Sequence, residues 1–158
     1  MGSNTYKVIK EIDFCPVIAV PDDYKQDGKL DAMLLATGYE HLFENYELKP
    51  LLNLVKHFNT KLWIAHVGSL DALTSEQKAS KKTLERRVES INYEFVEVEK
   101  EISVNHTIQQ LIDEDRDIDM VIMINQDHSF FERLTREPVI KKVTFNSKVP
   151  FLVIHLFE

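Results

Sequence analysis

Asp119-Met120-Val121-Ile122-Met123-Ile124-Asn125 is the stretch on which the fold turns. An unbroken apolar run between two polar residues, with no alternation, describes a strand buried on both faces, and such strands belong in the middle of parallel sheets. Three more runs of strand length surround it. Ala32-Met33-Leu34-Leu35-Ala36-Thr37 ends at Gly38, Lys61 to Val67 reads KLWIAHV, and Phe151 to Leu156 reads FLVIHL. The last is entered through Pro150, where a missing N–H is tolerated. Tyr93 to Val98 (YEFVEV) alternates instead, which predicts a strand exposed on one face at the sheet edge.

Between these strands the apolar period lengthens to that of helices. Leu51, Leu52, Leu54, Val55 and Phe58 follow Pro50, within a helix that begins near residues 41–47. Leu84, Val88 and Ile91 line one side of Ser75 to Ile91, and Ile108, Leu111 and Ile112 line Ile102 to Ile112. Phe130 to Val143 is the fourth, with Pro138 suited to a first turn. Alternating strands and helices imply a doubly wound α/β fold: a Rossmann-like, five-stranded parallel sheet with right-handed crossovers and helices on both faces. Ligands in such folds sit beyond the carboxyl ends of the strands, where strand order reverses. Fold logic therefore selects a cleft of Thr37, Gly38 and Tyr39 after the first strand, Val67 ending the second, and Asn125, Gln126, His128 and Ser129 after the fourth.

The chain has 158 residues, about one domain, with 44% hydrophobic and 28% charged residues. No apolar run reaches the roughly 18 residues of a membrane span, and a cytoplasmic location is the expectation. A net charge of −7 argues against a nucleic-acid partner. The single cysteine, Cys15, excludes an internal disulfide, and a small apolar role beside Pro16 suits it. Lys78, Lys81, Lys82, Arg86 and Arg87 cluster on a helix of mixed charge, which reads as a solvated face.

One segment occurs twice. Thr5-Tyr6-Lys7-Val8-Ile9, a linker and Cys15-Pro16-Val17-Ile18-Ala19-Val20 repeat the grammar of Val139-Ile140-Lys141-Lys142-Val143, a linker and Val149-Pro150-Phe151-Leu152-Val153-Ile154. The tail of a module is present twice, but a whole module fits once. Residues 1–21 therefore read as the terminal helix and strand of a preceding module, 22–31 as a linker and 32–158 as the main domain.

Leu34-Leu35-Ala36-Thr37, Trp63-Ile64-Ala65-His66-Val67, Asp119-Met120-Val121-Ile122-Met123 and Val149-Pro150-Phe151-Leu152-Val153 resemble, in order and spacing, a universal stress protein domain, and the resemblance covers about residues 28 to 156. It implies the adenine nucleotide alpha hydrolase-like strand order 3-2-1-4-5. With its N-terminal repeat, the chain resembles the second domain of a tandem member carrying the end of the first. The resemblance also implies that terminal strands pair antiparallel in homodimers or pseudo-dimers. Val17, Ala19, Phe151, Val153 and His155 would form that contact, and Val153→Lys would disturb assembly.

The family's nucleotide-binding branch has a G-x2-G-x9-G-[ST] loop after strand four and an acidic residue ending strand one. Glycine there lets backbone N–H groups approach phosphates at a helix N-terminus. Residues 125–132 of this chain contain no glycine, Asp127 would repel a triphosphate, and Gly38 stands where an acidic residue is expected. Gly2-Ser3 fits the closing G-[ST], as if the preceding module had kept the site. No cofactor is expected, with ATP or AMP as the alternative and a small-molecule ligand possible at the cleft.

Ser129 and Asp127 have a structural use as helix caps before Phe130. His41, His66 and His128 stand at strand and helix ends, where convergence would suggest a metal or proton shuttle, yet they lack a ligand spacing such as H-x3-H, and no metal site is expected. Neither Ser69 nor Ser129 sits in a G-x-S-x-G elbow, so no catalytic residue is assigned. Glu97, Glu99 and Glu101, at period two, are expected to point to solvent and discourage edge pairing. The reading is a non-enzymatic stress-response module acting through pairing. A metal- or His-assisted enzyme on a flavodoxin-like scaffold is the further alternative.

Overall fold

A computed structural model describes residues 7–9, 11–12, 14–25, 28–99, 104–114, 117–125 and 148–155. Its strands are β1 (Val17–Ala19), β2 (Ala32–Ala36), β3 (Lys61–Val67), β4 (Tyr93–Val98), β5 (Ile118–Asn125) and β6 (Phe151–His155). The helices are α1 (Asn45–Phe58), α2 (Ser75–Val88) and α3 (Val104–Asp113), with a 3-10 turn at Leu70–Ala72. All six strands form one sheet in the order β1-β6-β5-β2-β3-β4. The five expected strands run parallel in the order 3-2-1-4-5, and β1 extends the sheet by pairing antiparallel with β6.

The chain's β-α alternation places α1 and α2 on one face. There Leu48, Leu51, Val55, Leu84 and Val88 cover Met33, Leu35, Leu62, Ile64, Ile122, Leu152 and Ile154. On the other face Ile108 and Leu111 of α3, with Ile9 of the N-terminal segment, cover Leu34, Ala36, Ala65, Val121, Met123, Phe151 and Val153. The central strands therefore bury both faces, as their unbroken apolar runs require. All five residues of β2 and all five of β6 are buried. A register irregularity between Ala32 and Met33 interrupts the β2–β5 ladder. Beside it, Asp119 Oδ2 accepts from the N–H groups of Asp31 at 2.6 Å and Ala32 at 3.4 Å, fixing the entry to β2.

Local chemistry sets the helix ends. Thr74 Oγ1 accepts from Gln77 N at 3.2 Å while Gln77 Oε1 accepts from Thr74 N at 2.9 Å, a reciprocal cap that starts α2. Asn59, left-handed at φ 50°, ends α1. Pro50 lies inside α1, which starts at Asn45, within the expected range of residues 41–47. Helix α2 stops at Val88, with Ile91 partly buried in the turn that follows.

The edge strand β4 corrects one expectation. Glu97 shares a face with Tyr93 and Phe95, which pack on the core, and its Oε1 accepts from Leu70 N at 2.7 Å. This exposed carboxylate therefore anchors the turn after β3 as well as charging the edge. Glu99 follows the strand, and Glu101 lies outside the described residues.

Candidate functional site

Strand order reverses between β2 and β5, so the rim of the sheet at their carboxyl ends is the candidate site. Ala36 pairs with Ala65, which sets Thr37 one step further on beside His66, and Gly38 beside Val67. Thr37, Gly38, Tyr39 and Val67 are thus brought together. Asn125 ends β5 opposite His155 of β6. Gln126, His128 and Ser129 lie outside the described residues, as does the whole expected fourth helix.

The loop leaving β2 is fastened at nearly every step. Thr37 Oγ1 accepts from Tyr39 N at 3.0 Å, which folds the chain back and puts Tyr39 at φ 56°. Its ring turns inward and is 1% exposed. It stacks on the His66 imidazole, with centroids 5.1 Å apart and planes 23° from parallel. His66, also buried, sets Nδ1 3.1 Å from the Thr37 carbonyl oxygen. From α2, Gln77 Nε2 donates to Gly38 O at 2.9 Å and Ser80 Oγ donates to His41 O. His41 Nε2 lies 2.7 Å from Glu47 Oε2, which also accepts from Glu44 N at 2.7 Å.

Burial pushes the Tyr39 hydroxyl well above the ordinary tyrosine range, and the negative charges of Glu85 and then Glu97 push it the same way. It therefore stays a neutral phenol. Tyr39 and His66 thus form a buried aromatic pair beneath the rim, with Thr37 Oγ1 already engaged by backbone. His41 and His66 take separate partners instead of converging, and His128 is outside the described residues. Among the described residues no group of three His, Cys, Asp or Glu side chains could hold a metal ion. No described helix is long and apolar enough to cross a membrane.

Sequence reasoning missed several parts of this arrangement. His66 was visible as a strand-end histidine on the face of Leu62 and Ile64, but its stacking on Tyr39 required the left-handed turn. Gln77 and Ser80 looked like ordinary polar helix positions, and a capping motif at Thr74-Ser75-Glu76-Gln77 was the available signal for the first.

The terminal-strand contact is present within the chain. Val17 pairs with Val153, and Ala19 with Phe151. His155 is a correction: β1 is only three residues long, between Pro16 and Pro21, so its ladder stops short of His155, which pairs with Asn125 of β5 instead.

Comparison with known proteins agrees with this fold. A universal stress protein from Archaeoglobus fulgidus DSM 4304 superposes with a TM-score of 0.59 at 20% identity, over 89% of this chain and 49% of that one. The chain thus spans about half the length of that structure. A universal stress protein solved in complex with cAMP superposes with a TM-score of 0.58 at 17% identity, over 81% of this chain and 98% of that one. Another from Archaeoglobus fulgidus has a TM-score of 0.54 at 14% identity, over 80% and 94% of the two chains. No curated protein matches significantly in sequence. A family model described as the universal stress protein family matches residues 48–155, more than half of the chain. This chain belongs to the universal stress protein family.

Proposed function

We propose that this chain is a non-enzymatic, cytoplasmic stress-response module that acts by pairing with another module rather than by turnover. The observation that carries the reading is the β1–β6 ladder, in which a short N-terminal strand occupies the free edge of a terminal strand buried on both faces. That contact is made inside one chain. An open β6 edge would offer a row of unpaired amides to a second copy.

Val153→Lys is a poor test, because Val153 is 0% exposed and a buried charge would unfold the sheet whatever it pairs with. Val17→Pro is cleaner. It removes an amide of the β1–β6 ladder while leaving the main core intact. Sedimentation should show the parent chain as a monomer and the Val17→Pro chain as a dimer through exposed β6 edges. A folded Val17→Pro chain that stays monomeric would refute the pairing role.

The second reading is adenine-nucleotide binding at the β2–β5 rim, favoured by the related fold solved with cAMP. Thermal shift with ATP, AMP, cAMP and divalent metals separates the two. A ligand at about 100 times its Kd adds about 2.7 kcal/mol, which is several degrees for a domain of this size. Silence across the series supports association, and a shift with AMP or cAMP supports the nucleotide reading.

A further inference from the structure

The histidine near the end of β3 uses only one of its two nitrogens. His66 is 8% exposed, and its ring is fixed twice, by stacking on Tyr39 and by Nδ1 at 3.1 Å from Thr37 O. A carbonyl oxygen only accepts, so Nδ1 carries the proton and, in the neutral ring, Nε2 keeps its lone pair. Among the described residues Nε2 has no hydrogen-bond partner, yet it is not sealed from solvent. An acceptor left unmet in a ring so nearly buried costs free energy until a donor reaches it.

The backbone leaves room for that donor. Gly68 has φ 138°, which side-chain-bearing residues rarely adopt, and a Cβ built there would lie 3.4 Å from His66 Nε2 with no other atom within 4 Å. A methyl group would therefore stand where a donor must approach, since hydrogen-bonded nitrogens come to roughly 3 Å. Gly68 is itself held in place, its N–H donating to Val98 O at 2.9 Å.

The surroundings are negative. The parallel register sets Glu97 of β4 directly beside His66, on strands roughly 4.8 Å apart. Glu97 Oε1 accepts from Leu70 N at 2.7 Å, while Oε2 has no partner among the described residues. Glu85 of α2 brings a second exposed carboxylate, and both charges act on the hydroxyl of Tyr39, the ring stacked on His66. Among the described residues no ion pair engages Glu85 or Glu97. Lys81 of α2 lies over the Phe95 ring, 4.4 Å from its centroid. A lone pair and a spare carboxylate oxygen, with no ion pair on either glutamate, favour a cation that carries N–H donors and repel a phosphate. A metal ion fits less well, because no group of three ligating side chains converges among the described residues.

We propose that His66 Nε2 and Glu97 Oε2 bind the primary ammonium group of a small organic amine at the β3–β4 rim, with Gly68 keeping the approach open. One N–H would go to the imidazole and another to the carboxylate. The site lies one strand away from the β2–β5 reversal, so it depends neither on the pairing role nor on the nucleotide reading.

The test is a long-range 1H–15N correlation experiment on the 15N-labelled intact chain at about pH 8, where an ordinary imidazole is neutral. It is titrated with n-butylammonium and, separately, with tetramethylammonium, which has the same charge but no N–H. Butylammonium should shift the His66 Nε2 resonance saturably and leave His41 and His57 in place, and tetramethylammonium should shift none of them. Glu97→Gln keeps an oxygen for Leu70 N but removes the charge, and should weaken butylammonium binding about tenfold or more. Gly68→Ala should abolish binding; because it also strains the backbone, Glu97→Gln is the variant that decides. No saturable shift with butylammonium, an equal response to tetramethylammonium, or an affinity unchanged in Glu97→Gln would each overturn the proposal. A tighter saturable response to Zn2+ would make the ligand a metal ion and overturn it as well. None of these outcomes bears on the β1–β6 ladder, whose role is decided separately by the Val17→Pro chain.

Discussion

Alkaline pH should destabilise the parent chain more than a Tyr39→Phe variant, by an amount that follows from linkage. Tyr39 is 1% exposed and stacked on His66, and its hydroxyl titrates well above the ordinary 10.0 because of burial and the charges of Glu85 and Glu97. The unfolded chain ionises this phenol near pH 10 while the folded chain keeps it neutral. The stabilising contribution is therefore complete below pH 10 and declines as pH rises toward the folded value. With the folded form still protonated, the expected loss is about 0.8 kcal/mol at pH 10.5 and about 1.4 kcal/mol at pH 11. The other tyrosines occur in both proteins and cancel in the difference. Urea unfolding followed by circular dichroism at pH 8, 10.5 and 11 measures it. Parallel losses in the two proteins would show that Tyr39 ionises as freely folded as unfolded, and the buried, stacked geometry would be refuted.

Gly68 has φ 138°, and a Cβ there would lie 3.4 Å from His66 Nε2. Gly68→Ala should cost about 1–3 kcal/mol, mostly from backbone strain, so the loss should persist in a His66→Ala background; coupling that removes it would point to the contact instead. Asp119→Ala removes the acceptor for two amides at the bulged entry to β2 and should cost about 1–3 kcal/mol by urea unfolding, with no effect at all counting against an anchoring role. Thr74→Ala breaks the reciprocal cap of α2 and should lower stability by about 1 kcal/mol, whereas Thr74→Ser should retain most of it.

The fold was legible because its central strands carry a redundant signal. Ala32–Ala36 and Phe151–His155 are apolar at every position or nearly so, and only a doubly covered sheet buries such runs. The prefix strand was legible for a different reason, as a second copy of a segment whose place was already assigned. What stayed hidden depends on backbone geometry. The stretch after the first strand reads as a loop leading into a helix that begins near residues 41–47, but nothing in it signals that Tyr39 enters a left-handed conformation and turns its ring onto His66. Glu97 was similarly opaque: period two places it on a face but does not reveal that the turn after β3 brings Leu70 N within 2.7 Å.

The rim and the sheet edge differ in how fully their bonding groups are engaged, and this difference supports association over chemistry. At the rim, Thr37 Oγ1 accepts from Tyr39, Gln77 holds Gly38 O, Ser80 holds His41 O, and Glu47 is shared by His41 and Glu44. A reacting group would have to displace these contacts before using the same atoms. At β1, by contrast, Ile18 and Val20 leave about half of their surface exposed. A strand arriving there breaks no existing ladder, gains hydrogen bonds along its length, and removes apolar surface from water at roughly 25 cal/mol per Å². Among the described residues, the edge is therefore where an added strand would displace the fewest existing hydrogen bonds.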